Sequence, residues 1–415
     1  MRLLLLYLVS FGFISAFAIN KWASIPLILS LLILIQTMFL AFKNNVNLIN
    51  NKYISMYIYL FLLATSFSYL LQVNTFGFQI KGFTHTVSYF LVIILYFLSI
   101  ELSFRIHNVS ISIIFKYISK GILVVSFFTL IEFISKNFFM FDFDKYIPRA
   151  QVEQFDAIYN TGFRIFFRSR GTTEESGVLA MYLLMFFPFV VYYYKFINIS
   201  RKKLIGSIVM ILLAIFSTFS AAGFIELLIA LLIVILLAIM KKIKNGFSSI
   251  PIFSILLTII LMILALISIV YKRIDFDFLE GIFVKLTFSN ESFSAGSRLE
   301  RWNYAFSLIQ SNPIFGHGAG IATLQNGTGS TNFYLEVLIE TGFVGFLLIL
   351  ALFIAIFKMI FKMNDSIKYV YLFSIIIVLI HSIVISQYLL PWIWTLLAII
   401  SYHYYMNKEE EDNIF

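Results

Sequence analysis

Apolar runs of 16 to 25 residues, interrupted by short charged breaks, dominate the chain from end to end. A bilayer crossing takes roughly 20 such residues. The pattern predicts twelve spans, at about 3–19, 22–42, 53–71, 83–100, 118–135, 176–194, 204–219, 221–240, 250–271, 333–357, 368–386 and 389–405. With the N-terminus in the cytoplasm, the inner segments collect Lys43, Lys52, Arg201, Lys202, Lys203, Lys241, Lys242, Lys244, Lys358 and Lys362, whereas the short outer turns hold only Lys21 and Lys81. That asymmetry fixes the orientation and puts both termini inside. Arg2, an apolar run and Ala16-Phe17-Ala18 imitate a signal peptide with its cleavage site. A second span follows at once, so a retained first helix is the expectation.

Two connections are long, near 136–175 and 272–332, and both fall outside. Long loops in a compact protein are functional or disordered. These two carry Arg, Asp, aromatics and glycine motifs instead of Ser, Pro and Glu, which favours order.

Composition agrees: 61% of the 415 residues are hydrophobic and 12% charged, with a mean hydropathy of +0.95. A soluble domain is nearer a quarter charged. The expected fold is all-α, a single polytopic helical membrane domain. The net charge of +9 reflects the inner lysines and not nucleic-acid binding. There are no cysteines, which excludes disulfides and thiolate chemistry, and the five His are too dispersed for a zinc site.

Charges inside spans are costly and mark paths or sites. Glu132, Glu226, Glu336, Glu340 and His381 are such groups, all in the outer halves of their helices. Midplane carboxylates, expected of a pump or exchanger, are missing from the pattern, so a polar cavity opening outward is the better reading. Each group could instead reach lipid headgroups. Glu336 and Glu340, four apart, share one helix face, and Thr331-Asn332 stands where a helix cap would be. Two stacked carboxylates repel unless Arg or Lys lies nearby.

Upstream, Ser297–Gln310 reads as an amphipathic helix with Leu299, Trp302, Phe306 and Ile309 in one stripe. Arg298 and Arg301 flank it, where lipid phosphates would lie. Then comes Gly316-His317-Gly318-Ala319-Gly320, either an anion-binding nest of amides or a tight re-entry turn. The first long loop ends in Arg164, Arg168 and Arg170, interleaved with Phe, and runs through Glu174, Glu175 and Ser176 into a span. A lipid-linked phosphate is the sensible anion there. Asp142-Phe143-Asp144 and Asp275-Phe276-Asp277 are weak as metal sites and read as loop turns.

The stretch from Arg298 to Gly345, RLERWNYAFSLIQSNPIFGHGAGIATLQNGTGSTNFYLEVLIETGFVG, resembles the signature of the bacterial O-antigen polymerase and O-antigen ligase superfamily. That signature joins an Arg…Trp helix, a Pro-x-x-Gly-x-Gly turn, Asn-x-Tyr-Leu-Glu and Glu-Thr-Gly-x-x-Gly. Arg170-Gly171 to Glu175, opening a span, is similar to the family's other recurrent element. The resemblance implies a GT-C-like glycosyltransferase without cofactor or metal, working at the outer side of the cytoplasmic membrane. Its donor and acceptor would be glycans on undecaprenyl diphosphate, with a chain-length regulator and a flippase as partners. Arg170, Arg298, Arg301 and Arg168 would hold the diphosphate, and Glu336, Glu340 or His317 would serve as base. Glu175, Asn332, Gly316 and Gly318 would complete the site. Ligases of the family carry His before the Asn of Asn-x-Tyr-Leu; Thr331 stands here, which favours a polymerase. The family's Ser-Arg at the junction of the seventh and eighth spans is replaced by Ser220-Ala221-Ala222-Gly223, leaving no anion-binding role there. A lipid-linked oligosaccharide flippase is the competing class; it would predict midplane charges and short loops.

Overall fold

The computed structural model describes residues 1–20, 23–44, 52–142, 146–150, 158–160, 165–244, 293–326, 329–363 and 366–412. Within them the chain is helical apart from one short hairpin: α1 (Arg2–Ser10), α2 (Ile25–Asn44), α3 (Lys52–Phe76), α4 (Ile80–Ile106), α5 (Ile111–Phe138), β1 (Ile158–Asn160), β2 (Ile165–Phe167), α6 (Ser176–Ile197), α7 (Arg201–Ser217), α8 (Ala221–Lys244), α9 (Phe293–Ser311), α10 (Ile321–Asn326), α11 (Phe333–Lys362), α12 (Ile367–His381) and α13 (Pro391–Asp412). The strands pair antiparallel, with Tyr159 opposite Phe166.

Six helices among the described residues, α2, α3 (from Ile54), α4, α5, α6 and α11, are long and apolar enough to cross a membrane. Ala221–Ile233 and α12 are shorter apolar helices. Twelve crossings are thus not confirmed among the described residues. The span expected at 250–271, Arg164 and the Asp275–Asp277 motif lie outside the described residues.

The clearest correction concerns the first span. Its helix stops at Ser10, too short to cross at 1.5 Å per residue. Beyond it the backbone turns away to meet the long loop: Ser15 and Ala16 donate their N–H groups to the Thr172 carbonyl at 3.0 and 3.2 Å, and Phe17 donates to Pro148 at 2.7 Å. An apolar run is thus consumed as a scaffold for Pro148, Ala150 and Thr172. Hydropathy cannot separate that use from a crossing.

α6 is the axial helix. It is apolar all round and buried through almost every residue from Val178 to Val190, as a helix enclosed by others must be. Gly121 of α5 lets the backbone of α1 come close; a Cβ there would stand 2.6 Å from the Val9 carbonyl oxygen. Two ends of the bundle are distinguishable. At one, the Met1 amino group meets His107 at 2.9 Å and Tyr402 bonds Val109, while Lys358 and Lys362 gather near Tyr57 and Tyr404. At the other, the loop preceding α6 meets the ends of α5, α7 and α8.

α11 is broken near its start. Gly342 has φ 63° and ψ −164°, a conformation essentially reserved for glycine. The backbone groups released by the break are taken up by the turn that follows α9. Phe343 N–H donates to the Pro313 carbonyl at 2.8 Å, His317 N–H to Ile339 at 2.8 Å and Gly318 N–H to Glu340 at 2.9 Å. A Cβ on Gly342 would fall 2.2 Å from the Ile314 oxygen. Gly342→Ala is therefore expected to cost about 2–5 kcal/mol, backbone strain and displaced packing combined. Thermal unfolding in detergent would show a lowered midpoint.

Candidate functional site

The Arg170–Ser176 turn is held from below by charge. Glu132, fully buried on α5, accepts the Gly171 N–H at 2.6 Å. Its other oxygen lies 3.6 Å from Arg149 Nη2 and 3.8 Å from Lys136 Nζ. Arg149 Nη1 in turn donates to the Gly171 carbonyl at 2.9 Å and to Thr173 at 3.3 Å. Thr173 closes the turn by donating its N–H and hydroxyl to the Arg170 carbonyl. Gly171 has φ +53°, and a Cβ there would meet Thr129 Oγ1 at 2.4 Å. Glu132 thus clamps the turn and does not reach toward headgroups. Arg149 was not singled out by the sequence; a basic residue beside Pro in a loop carries no local sign that it will be buried.

Arg168 is committed in part to the scaffold: its Nε donates to the Thr218 carbonyl at 2.9 Å, and Ser169 N–H donates to Ser217 at 3.0 Å. Ser220 Oγ accepts the Gly223 N–H at 3.2 Å and caps α8.

Glu175 immediately precedes α6, and α9 brings Arg298 near it. Burial pushes the Arg298 guanidinium below its ordinary value; the Glu175 carboxylate opposes this, and Arg301 reinforces it. The stripe expected on α9 is divided. Ile309 is buried with Ala305 against Ile321 and Ile339, and Trp302 packs on that cluster. Leu299 and Phe306 are exposed. α10 and the start of α11 occupy the face centred on Ala305, and the other two positions lie to its side.

The glycine turn is a docking element. Gly316, Gly318 and Gly320 all have positive φ. Their amides are used internally, Gly316 N–H on Asn312 and Gly320 N–H on Glu340 Oε1 at 2.8 Å. No open amide nest remains, so Gly316 and Gly318 shape the backbone and do not bind an anion through it. The His317 ring turns back onto the end of α9, its Nε2 2.8 Å from Ser311 Oγ and 2.9 Å from the Leu308 carbonyl oxygen.

Asn332 caps α11, accepting the N–H groups of Tyr334 and Leu335 at 2.9 and 3.1 Å. Glu336 and Glu340 do stack on one face, and both are buried. Their partners are not the Arg or Lys that the spacing suggested. Glu336 Oε2 accepts the N–H and hydroxyl of Ser330 at 2.8 and 2.6 Å. Glu340 Oε1 accepts Gly320 N–H, its Oε2 accepts the Tyr89 hydroxyl at 2.7 Å, and His85 Nε2 lies 3.3 Å from Oε1. Tyr89 stacks on Tyr388 at 4.2 Å, and His85 packs beside both. Glu226 and His381 form a further buried pair, Oε1 to Nδ1 at 2.6 Å, tying α8 to α12.

A cavity of about 400 Å³ lies among α2, α4, Glu174 of the turn and the Ser386–Pro391 segment that leads into α13. Glu174 of the turn, His85, Ser88, Ser24, Gln387 and Tyr388 give it polar groups; Leu27, Leu91, Val92 and Leu95 give it an apolar flank. His85 is the residue sequence reasoning passed over. It lies two residues inside the span read at 83–100, so the rule that picked Glu132 would have found it. Asp142 sits 3.9 Å from Lys136 Nζ and is engaged as an ion-pair partner. Among the described residues no group of three or more His, Asp or Glu stands close enough to hold a metal ion.

A family model described as O-antigen ligase matches residues 205–350, from α7 through the Glu-Thr-Gly break of α11. That segment of the chain is similar to the O-antigen ligase family. The match supports the O-antigen ligase and polymerase superfamily, and the apolar helices make the protein a multi-pass membrane protein. No curated protein matches the chain. The domain match includes Arg298, Arg301, Asn332, Glu336 and Glu340, whereas Arg170 and His85 lie before it.

Proposed function

We propose that this chain is a polysaccharide polymerase, a glycosyltransferase that joins repeat units carried on undecaprenyl diphosphate at the outer face of the cytoplasmic membrane. The observation that supports this reading is the cavity beside the Arg170–Ser176 turn, which Glu174 of that turn shares with His85 and an apolar flank. His85 in turn adjoins Glu340 of α11, and the Glu175 carboxylate beside Glu174 acts electrostatically on Arg298 of α9. Arg170, Arg298 and Arg301 grip the donor diphosphate, because guanidinium forks match phosphate oxygens and offset charge building on the leaving group. The apolar flank suits a polyprenyl chain entering from the bilayer. The acceptor hydroxyl attacks the anomeric carbon in one displacement, which inverts the linkage and needs no metal. A carboxylate-centred group at Glu340 and Glu336 assists the proton's departure. His317, turned onto α9, is the least suited of the three bases the sequence offered.

The product is an O-antigen or capsule chain, and a chain-length regulator and a flippase supply the expected partners. Ligation to lipid A–core is the second reading, favoured by the description of the matching family. Thr331 speaks against it. Its hydroxyl is buried with no hydrogen-bond partner among the described residues, and it offers no imidazole where the superfamily's ligases carry one. The family match lends no support to the flippase reading.

Removing the gene from a producing strain separates the two readings. A polymerase leaves only single repeat units on lipid or core. A ligase leaves long polymer stranded on the carrier. Long stranded polymer in the deletion strain would overturn the polymerase assignment.

A further inference from the structure

We propose that His85, oriented by Glu340, is the base that receives the acceptor hydroxyl proton; this rests on the transferase reading above. Both Glu340 oxygens are already occupied, by the Gly320 N–H and by the Tyr89 hydroxyl, and the side chain is fully buried. A carboxylate so enclosed cannot touch a sugar. Glu336 is likewise buried, with one oxygen taking both Ser330 donors. His85 differs. Its side chain is 26% exposed, and it lines the cavity that also holds Glu174.

The ring has two unlike nitrogens. Nε2 is buried and 3.3 Å from Glu340 Oε1, not aligned as a hydrogen bond but close enough for the carboxylate's charge to favour a proton on that side. Nδ1 then carries the lone pair. It lies beside Gly320, where an added Cβ would come within 3.3 Å and crowd that edge of the ring. Tyr89 and Tyr388, centroids 5.6 and 5.5 Å away, hold the ring plane. A base fixed by a carboxylate that itself never meets substrate is the general arrangement of an activated nucleophile pair.

In the proposed step the acceptor oxygen forms its bond to the donor anomeric carbon while its proton passes to His85 Nδ1. The anomeric C–O bond breaks, and its electron pair leaves with the polyprenyl diphosphate. The imidazolium is held by the Glu340 carboxylate and returns its proton to the departing diphosphate or to water.

The test uses the full chain in lipid nanodiscs with a polyprenyl-diphosphate-linked repeat unit, reading polymer formation. His85→Gln and His85→Ala are expected to lower kcat about 100-fold or more with KM for the donor little changed. Added imidazole should restore part of the His85→Ala rate, an effect no packing role would produce. If wild type polymerises and His85→Gln does so equally well, His85 is not the base and the polymerase reading survives. A raised KM with intact kcat would also overturn the assignment. If wild type yields no polymer under conditions where the lipid-linked donor is bound, the transferase reading and this inference fall together. Should either variant unfold, carbethoxylation of the wild type replaces it. An adduct at His85 that tracks activity loss and reverses with hydroxylamine supports the role; full activity of the adduct overturns it.

Discussion

Arg170→Ala is expected to abolish long chains while leaving single repeat units, a loss of about 100-fold or more in polymerisation. The turn that presents Arg170 is fixed by its neighbours. Gly171 is bound to Glu132 and Arg149, Thr172 bonds the Gly12 carbonyl, and Thr173 closes on the Arg170 backbone. Truncating the Arg170 side chain therefore spares those hydrogen bonds, so the turn keeps its backbone shape. Arg170→Lys keeps the charge but loses the planar fork that matches two phosphate oxygens, so it should restore only part of the activity. Gel analysis of the glycan from cells carrying each variant reads the effect directly. An unchanged ladder in Arg170→Ala would refute the role.

Glu340→Ala should damage both fold and activity. The variant leaves the Gly320 N–H and the Tyr89 hydroxyl without their acceptor in a buried setting. Each orphaned group costs about 1–3 kcal/mol, so a loss of about 2–6 kcal/mol is expected. The glycine turn would loosen from α11 at the same time, although the bonds from Gly318 and His317 to the α11 backbone remain. Glu340→Gln retains an acceptor oxygen and should keep most of the stability, yet it removes the charge 3.3 Å from His85. Its signature is a near-normal melting curve with a depressed kcat. Melting in detergent together with turnover in nanodiscs distinguishes the two. A Glu340→Ala protein with a normal midpoint and a normal ladder would remove Glu340 from any account of the site.

The helical class of the fold, the uneven distribution of lysine and arginine and the cap at Asn332 were legible from the chain. So was the pairing of Glu336 with Glu340 on one face. Each depends on residues within a few positions of one another, where a helical period or a run of apolar groups is a sufficient physical cause. The early stop of α1 was not legible. Its cause is the Thr172 carbonyl, far along the chain, which takes the N–H groups of Ser15 and Ala16. The Glu-Thr-Gly motif was visible, but its meaning as a break in α11 depends on the Pro313–Gly318 backbone filling it.

The candidate site divides in the same way. Arg170, Arg298 and Glu340 stood out because charges beside or within apolar runs are expensive. The identities of their partners did not, since a buried carboxylate takes whichever donor the packing delivers. For Glu132 that was Arg149, for Glu336 Ser330, and for Glu340 Tyr89 and Gly320. The sequence alone determined that this is a helical membrane protein with its costly polar groups near the ends of helices. Only the tertiary structure decided which of those groups are walled in as struts and which, like His85, keep an open side. That choice follows from long-range close packing, which local pattern does not encode.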